Sequence, residues 1–462
     1  MTFKRDLGWQ NLELTYRSSI ASQFARYALG LNYEMLPPDV VYQAKRCLLD
    51  TLGCAIGAYE APGRPMVEEF VKELGGPEEA TVFGSGRRTS APNATLVNSF
   101  MVRFLDYNDI EHWGHCSDTI PSILAVSERE KASGCDFLTS LVISYELRGR
   151  VGESVSPTVW HQNGWVRESI CGLTMPPTLG RLMVLNEEQI ANAIGICASG
   201  SIPLGILDAA GEEFTMRKNL RMGFVAHDAI LSCMLAKTGF TGPIRVVEGE
   251  DGMNQVMFQG KMDFERMTDF SGWRILRTNF KALCANNANH GHLYATLAIV
   301  KEHDLKPDDI AAVHITRRQP RKCTFACKYP RNAESADHSS IWTTAIAIKE
   351  RWVGPDSIKP KNFTDPVVLD LIEKITEETD PSMALEAGKS EIVTKDGRRF
   401  QQHNTTFHGK GDDPLTDEEL EHKFREMAIK CMSEKQIRQI FDAVLNVEKL
   451  DNMGKLMKLM IF

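Results

Sequence analysis

The chain has 462 residues, of which 43% are apolar and 25% charged, and its formal net charge is −8. That balance belongs to a globular chain with room for two or three domains. No long basic block and no run of about 18 apolar residues occurs, which argues against nucleic acid and membrane as partners, and the start MTFKRDLGWQNLELTYRSS lacks a signal-peptide core, which predicts a cytoplasmic protein.

Helical patterns dominate the first two-thirds. PPDVVYQAKRCLLDTLGCAIGAYE opens on prolines and repeats Val41, Ala44, Leu48, Leu52 and Ala55 at helical spacing, ending in small residues suited to close packing. APNATLVNSFMVRFLDYND predicts a helix with Val97, Phe100, Met101 and Phe104 on one face. SDTIPSILAVSEREKASG restarts a helix with Ser117 or Asp118 as its cap. DFLTSLVISYELRGRVGES and NEEQIANAIGICASG predict two more, and RKNLRMGFVAHDAILSCMLAKTGF a long one ended by Gly239. After roughly residue 275 the texture changes. AAVHITRR reads as a strand and EIVTKDGRRFQQHN as a hairpin turning at Asp396-Gly397. Helices are expected at HGHLYATLAIVKEH and DHSSIWTTAIAIKER. The tail is helical again: LTDEELEHKFREMAIKCM begins with a capping box from Thr416 to Glu419, and SEKQIRQIFDAVLNVEKL follows.

The 11 cysteines are scattered, several of them in apolar patterns (Cys47, Cys54, Cys197, Cys233), and no CxxC occurs. This predicts small buried hydrophobes rather than a disulfide framework, a cysteine zinc site or an iron–sulfur cluster. Cys323 and Cys327 are too weak a pair to imply a metal.

Four polar constellations could carry chemistry. LDYNDIEHWGHCSD crowds Asp106, Asp109, Glu111, His112 and His115 into one short stretch. A carboxylate beside an imidazole tunes a general acid or base. A metal site would need a third ligand beside His112 and His115, and a solvated loop fits the spacing as well as catalysis does. TMRKNLR places Arg217, Lys218 and Arg221 at a helix start, where backbone N–H groups favour a carboxylate or phosphate. NFKALCANNANHGHLYA offers Lys281, Asn286, His290 and His292 as a second anion-binding wall. NGWVRES brings Arg167 to another helix start, where a structural role is the simpler account. No GxGxxG, GxxxxGK[ST], GxSxG or HExxH motif occurs, which removes the usual support for nucleotide, serine-hydrolase and zincin chemistry.

In chain order these stretches resemble the MmgE/PrpD family, which includes 2-methylcitrate dehydratases, cis-aconitate decarboxylases and iminodisuccinate epimerases. CLLDTLGCAIGA, FLDYNDIEHWGHCSDTIPSILA, MRKNLRMGFVAHDAILSCMLAKTGFTGPIRVVEGEDG, FKALCANNANHGHLYA, ADHSSIW and DGRRF…HGKGDDPLTDEELEHKFR carry the likeness, which covers nearly the whole chain. The resemblance implies a mainly α fold: a large all-helical domain from residues 1–275 and 406–462, and a smaller inserted α+β lid over 276–405. It implies a homodimer, a small polycarboxylate substrate, and neither metal nor organic cofactor. It places the family's active-site aspartate on Asp106, its histidine on His115 and its two lysines on Lys218 and Lys281. Other family positions differ: Ile110 stands for a threonine, Val166 for a histidine, Asn286 for a second histidine and Trp342 for a tyrosine. Asp109, Arg167, Arg221, Asn286, His290 and Trp342 are the expected substrate-contacting set. The implied activity is a cofactor-independent lyase, of dehydratase or decarboxylase type, working through His115 and Asp106. Epimerisation of a dicarboxylate and non-catalytic carboxylate binding are the alternatives.

Overall fold

A computed structural model describes residues 16–111, 114–156, 159–160, 164–208, 213–318 and 328–462. The fold is mainly α. Its helical body contains α1 (Ile20–Gly30), α2 (Pro38–Gly57), α3 (Gly63–Leu74), α4 (Ala91–Phe104), α5 (Ile120–Arg129), α6 (Gly134–Glu153), α7 (Cys171–Leu182), α8 (Glu187–Ala198) and α9 (Arg221–Lys237). Helix α4 is buried along its entire length, including Arg103, because α2, α3, α5 and α9 surround it. Helix α7 carries Pro176 and Pro177 in its interior. Each proline removes a helical hydrogen bond, so packing against α6, α8 and α9 supplies the stability that local propensity withholds.

The helical body also carries a short antiparallel pair, β1 (Ala80–Thr81) and β2 (Arg88–Thr89), and the second region holds α10 (His290–Glu302), α11 (Ser340–Glu350), α12 (Pro366–Lys374) and a four-stranded sheet. The sheet order is β4-β3-β5-β6, with β3 (Ile310–Arg317), β4 (Ile375–Thr379), β5 (Gly388–Thr394) and β6 (Arg399–Asn404). Strand β3 runs parallel to β4 and antiparallel to β5, with a register shift near Ile310. Helix α10 covers β5 and β6. The predicted hairpin forms, and Gly397 at φ +90° takes the left-handed position of its turn. The tail returns to the helical body as α13 (Asp417–Ala428) and α14 (Glu434–Leu445). The predicted capping box between Thr416 and Glu419 is present, and α13 packs on α2, where Phe424 and Met427 sit over Gly53.

Two helix starts differ from the sequence reading. Helix α5 begins after a 3₁₀ turn at Cys116–Thr119, with Thr119 rather than Ser117 or Asp118 at its cap. Both side chains are engaged elsewhere, Ser117 with Asp109 and Asp118 with Asn108. Helix α9 begins at Arg221, and Lys218 lies in the tighter turn before it, Met216–Leu220. Cys47, Cys54, Cys197 and Cys233 are buried free thiols, as expected. Cys323, Cys327, His112 and Asn163 lie outside the described residues. Among the described residues no helix is long and apolar enough to cross a membrane.

Candidate active site

Helix α4 ends at Phe104, and two residues later Asp106 adopts φ +46°. A left-handed backbone is uncommon for a residue with a side chain and needs other contacts to hold it. Here the segment after α9 supplies them. Ile110 and Asn279 pair as an isolated antiparallel bridge, and the Cys284 thiol reaches the Leu105 carbonyl. This strap brings the Lys281 ammonium under Asp106, where it donates to the backbone oxygen at 2.6 Å and to Oδ1 at 2.9 Å. Arg103, one turn back on α4, donates to the same Oδ1 at 2.5 Å. Burial alone would raise the Asp106 carboxyl, but Arg103, then Lys281 and Lys218, outweigh it and hold it well below the usual carboxylate range.

Residues 105–111 and 114–118 are therefore pinned rather than wet. Asp109 accepts from the Ser117 backbone and hydroxyl at 3.1 and 2.5 Å and from the Tyr145 hydroxyl at 2.7 Å. Burial pushes its carboxyl up to about 6 despite those bonds. The Asp109 carbonyl accepts from His115 Nδ1 at 2.6 Å. A carbonyl can only accept, so Nδ1 carries the proton and Nε2 the lone pair. Nε2 stands 3.3 Å from Asp106 Oδ1. Burial, then Arg103 and Lys281, push the His115 pKa well below its ordinary value against the opposing pull of Asp106. His115 is thus a neutral base with a carboxylate beside it.

On the other side of Asp106 stands a second imidazole. His338 Nδ1 lies 3.6 Å from Asp106 Oδ2 and donates to Asp337 Oδ1 in a short hydrogen bond. Asp337 in turn accepts from the Lys218 ammonium at 2.7 Å through its other oxygen. Burial raises the Asp337 carboxyl to about 7, with Lys218 opposing and Asp106 adding to the rise.

These groups stand at or just behind the wall of a cavity of about 1160 Å³. His115, His338, Asn286, Phe214 and Ile110 line it, and so do Arg46, Arg103, Arg167, Arg221, Arg277, Arg317, Arg318 and Lys410. Fewer acids face it, namely Glu111, Glu168, Asp208, Glu386 and Asp412, so the wall is cationic in a chain of net charge −8. A cationic cleft in an acidic chain concentrates anions. Arg221 is braced by Asp208 at 2.6 Å and Glu168 at 3.3 Å. Burial lowers the Arg167 pKa, with Glu168 and Asp208 opposing.

The expected site residues thus fall in two layers. His115, Arg167, Arg221 and Asn286 line the cavity. Asp106, Asp109, Lys218 and Lys281 are fully buried and are not among the described residues lining it. Both ammonium groups meet protein carboxylates, Asp337 and Asp106, rather than the cavity. Trp342 is packed against Phe363, and His290 is buried beside Phe407 with Nε2 at 3.2 Å from the Ala285 carbonyl. Neither is among the described lining residues. Sequence reasoning passed over Arg103 and the Asp337–His338 pair. An arginine inside the apolar run SFMVRF, and two adjacent titratable residues before the helix start SSIW, were the signals available.

Asp106, Asp337 and His338 offer donor atoms within 4.8 Å of one another, enough in number for a metal. The two carboxylates, however, are already neutralised by Arg103, Lys281 and Lys218, and a divalent ion would enter against those three cations. The donor set suits proton chemistry better.

The MmgE/PrpD N-terminal domain matches residues 22–265 and the MmgE/PrpD C-terminal domain residues 284–447. The chain belongs to the MmgE/PrpD family. The cis-aconitate decarboxylase of Aspergillus terreus is 22% identical over 98% of this chain and 98% of its own length. The human cis-aconitate decarboxylase is 24% identical over 96% of this chain and 94% of its own. The 2-methylcitrate dehydratase of Escherichia coli (strain K12) is 27% identical, over 50% of each chain. MmgE/PrpD relatives with decarboxylase names thus align end to end with this chain, whereas the dehydratase aligns over half.

Proposed function

We propose that this MmgE/PrpD protein is a lyase that acts on a small di- or tricarboxylic acid without a cofactor, by dehydration or decarboxylation. The observation that carries this reading is the neutral His115, its tautomer set by the Asp109 carbonyl and its Nε2 at 3.3 Å from Asp106, on a wall lined by Arg103, Arg167 and Arg221. The names of the relatives support the same class of chemistry.

A C–H bond beside a carboxylate is hard to break because the carbanion adds negative charge to an anion. Fixed guanidinium groups at the carboxylate oxygens stabilise that charge as it develops. His115 Nε2 takes the proton, and the imidazolium so formed is stabilised by Asp106. Lys281 and Arg103 fix the position of Asp106, and Lys218 fixes Asp337. The cavity belongs, in this reading, between the helical body (1–275 and 406–462) and an α+β lid (276–405). Its lining residues come from both stretches, His115 and Arg221 from one, Asn286 and His338 from the other.

A panel of unsaturated and hydroxylated di- and tricarboxylates, followed by proton NMR in D₂O, tests the reading. Net conversion of one acid is expected, with His115→Ala and Lys218→Ala each lowering it by about 10²–10⁴-fold. Turnover that survives both substitutions refutes the assignment. Deuterium uptake without net conversion would instead support epimerisation.

A further inference from the structure

His115 accounts for one proton. Lyase chemistry moves two: one leaves carbon or returns to it, and one goes to a departing hydroxyl or to the carbon that loses carbon dioxide. The family resemblance puts Val166 and Asn286 where other members carry histidines, and both residues are what the sequence holds there. Val166 and Asn286 cannot shuttle protons. What the fold places at the cavity instead is His338.

Three observations fix the chemistry of this imidazole. Asn286 Oδ1 accepts from the Ala288 N–H at 3.2 Å, which sets the orientation of the amide. Asn286 Nδ2 therefore points at His338 Nε2, 3.2 Å away, and donates to it. A nitrogen that accepts from an amide N–H carries a lone pair, so the ring proton sits on Nδ1, bound to Asp337 Oδ1. The ring is also clamped from one face by Phe214, centroid to centroid 4.4 Å. Asp337 is itself held by Lys218 at 2.7 Å. The order Lys218, Asp337, His338 is that of a positioned carboxylate–imidazole pair with its reactive nitrogen at a cavity wall. His115 reaches one oxygen of Asp106 and His338 approaches the other, at 3.3 and 3.6 Å. The two imidazoles flank one carboxylate.

We infer that His338, positioned by Asp337, is a second catalytic proton carrier, exchanging a proton between Nε2 and a small polycarboxylate while His115 serves the other proton. The inference rests on the lyase reading above. In the dehydration direction His115 Nε2 takes the C–H proton and that electron pair becomes the new C=C bond. His338 Nε2 first takes a proton from solvent, turning from the Asn286 amide while Nδ1–H stays on Asp337; the C–O bond then breaks with its pair on oxygen, and the hydroxyl leaves as water with that Nε2 proton. Each imidazole then returns to its starting state by exchange with solvent. The proximity of Asp337, raised to about 7, gives the pair a place to hold that extra proton near neutral pH.

The test separates the two protons. With the acid turned over fastest in the panel, His338→Gln should lower net turnover by about 10²–10⁴-fold while deuterium exchange at the substrate C–H persists, because His115 is intact. His115→Ala should lower both by about that factor. A merely structural His338 would lower both together or neither, and either result overturns the inference while leaving the lyase reading in place. Should His338→Gln not fold, or no acid be consumed by the unaltered protein, nitrogen-15 shifts of the His338 ring decide. A proton on Nδ1 that moves to Nε2 in Asp337→Asn supports the assignment. A proton already on Nε2 in the unaltered protein overturns it.

Discussion

Two pairs of buried histidines differ in what surrounds them. His115 and His338 stand at the cavity, each beside a carboxylate. His290 and His292 open α10 and are more completely buried, and neither is among the described lining residues. His290 bonds a backbone carbonyl and leans on Phe407. Burial keeps His115, His290 and His292 from charging readily, so burial alone marks no site. The carboxylate partner and the open face do.

The strongest way to break this comparison is to remove the shared carboxylate. Asp106→Asn leaves Lys281 buried without its counter-charge and Arg103 with only Asp118 at 3.7 Å, so unfolding should ease by about 3–5 kcal/mol, read by urea denaturation, and turnover should be lost with it. Unchanged stability would mean that the two cations find water, and the closed cluster described here would be wrong.

A smaller effect follows from the packed pair. Burial, aided by Lys281, holds His290 down at about 3, whereas the unfolded chain binds that proton near the ordinary value of 6.5. The unfolded state therefore takes up the proton first as pH falls. His290 contributes stability that is present above about pH 6.5 and is lost toward pH 3 at about 1.4 kcal/mol per pH unit. His290→Leu should flatten that part of the stability profile and leave turnover per folded molecule unchanged.

The smallest effect has the opposite sign. His408 is partly exposed and bonds Asp413 at 3.0 Å and Glu419 at 2.9 Å. Partial burial pulls its pKa down, but the two acids outweigh it and raise it. Its contribution is present below the ordinary imidazole value and fades as pH rises through the raised one. His408→Ala should cost less than about 1 kcal/mol at pH 5.5, because solvent screens the pair, and nothing at pH 9. Thermal melts at the two pH values measure it.

Much of the fold was legible because helical spacing survives in the sequence. The α2, α4, α6 and α8 patterns, the Thr416 box and the Asp396-Gly397 turn all rest on local rules. What was not legible depends on partners far along the chain. Strand β4 reads ITEET, with little apolar alternation, and exists because β3 pairs with it in parallel. Helix α7 holds against two prolines through its neighbours. At the site, Asp106, His115, Lys218 and Lys281 were expected from the family likeness, but their layering was not. That the lysines serve carboxylates of the protein depends on pairings across 119 and 175 positions of sequence. His338 was passed over, since no spacing rule announces that Asn286 will fix its tautomer.

The strap that carries Lys281 to Asp106 has a consequence for how the protein matures. Arg103 and Asp106 can pair as soon as α4 forms, but Lys281 and Lys218 can be buried in balance only when Asp106 and Asp337, 175 and 119 positions away, are in place. A half-made or misdocked chain is left with uncompensated ions in its interior. The cluster thus also acts as a checkpoint on assembly, since the Lys281–Asp106 and Lys218–Asp337 pairs can close only when segments far apart in the chain have come together correctly.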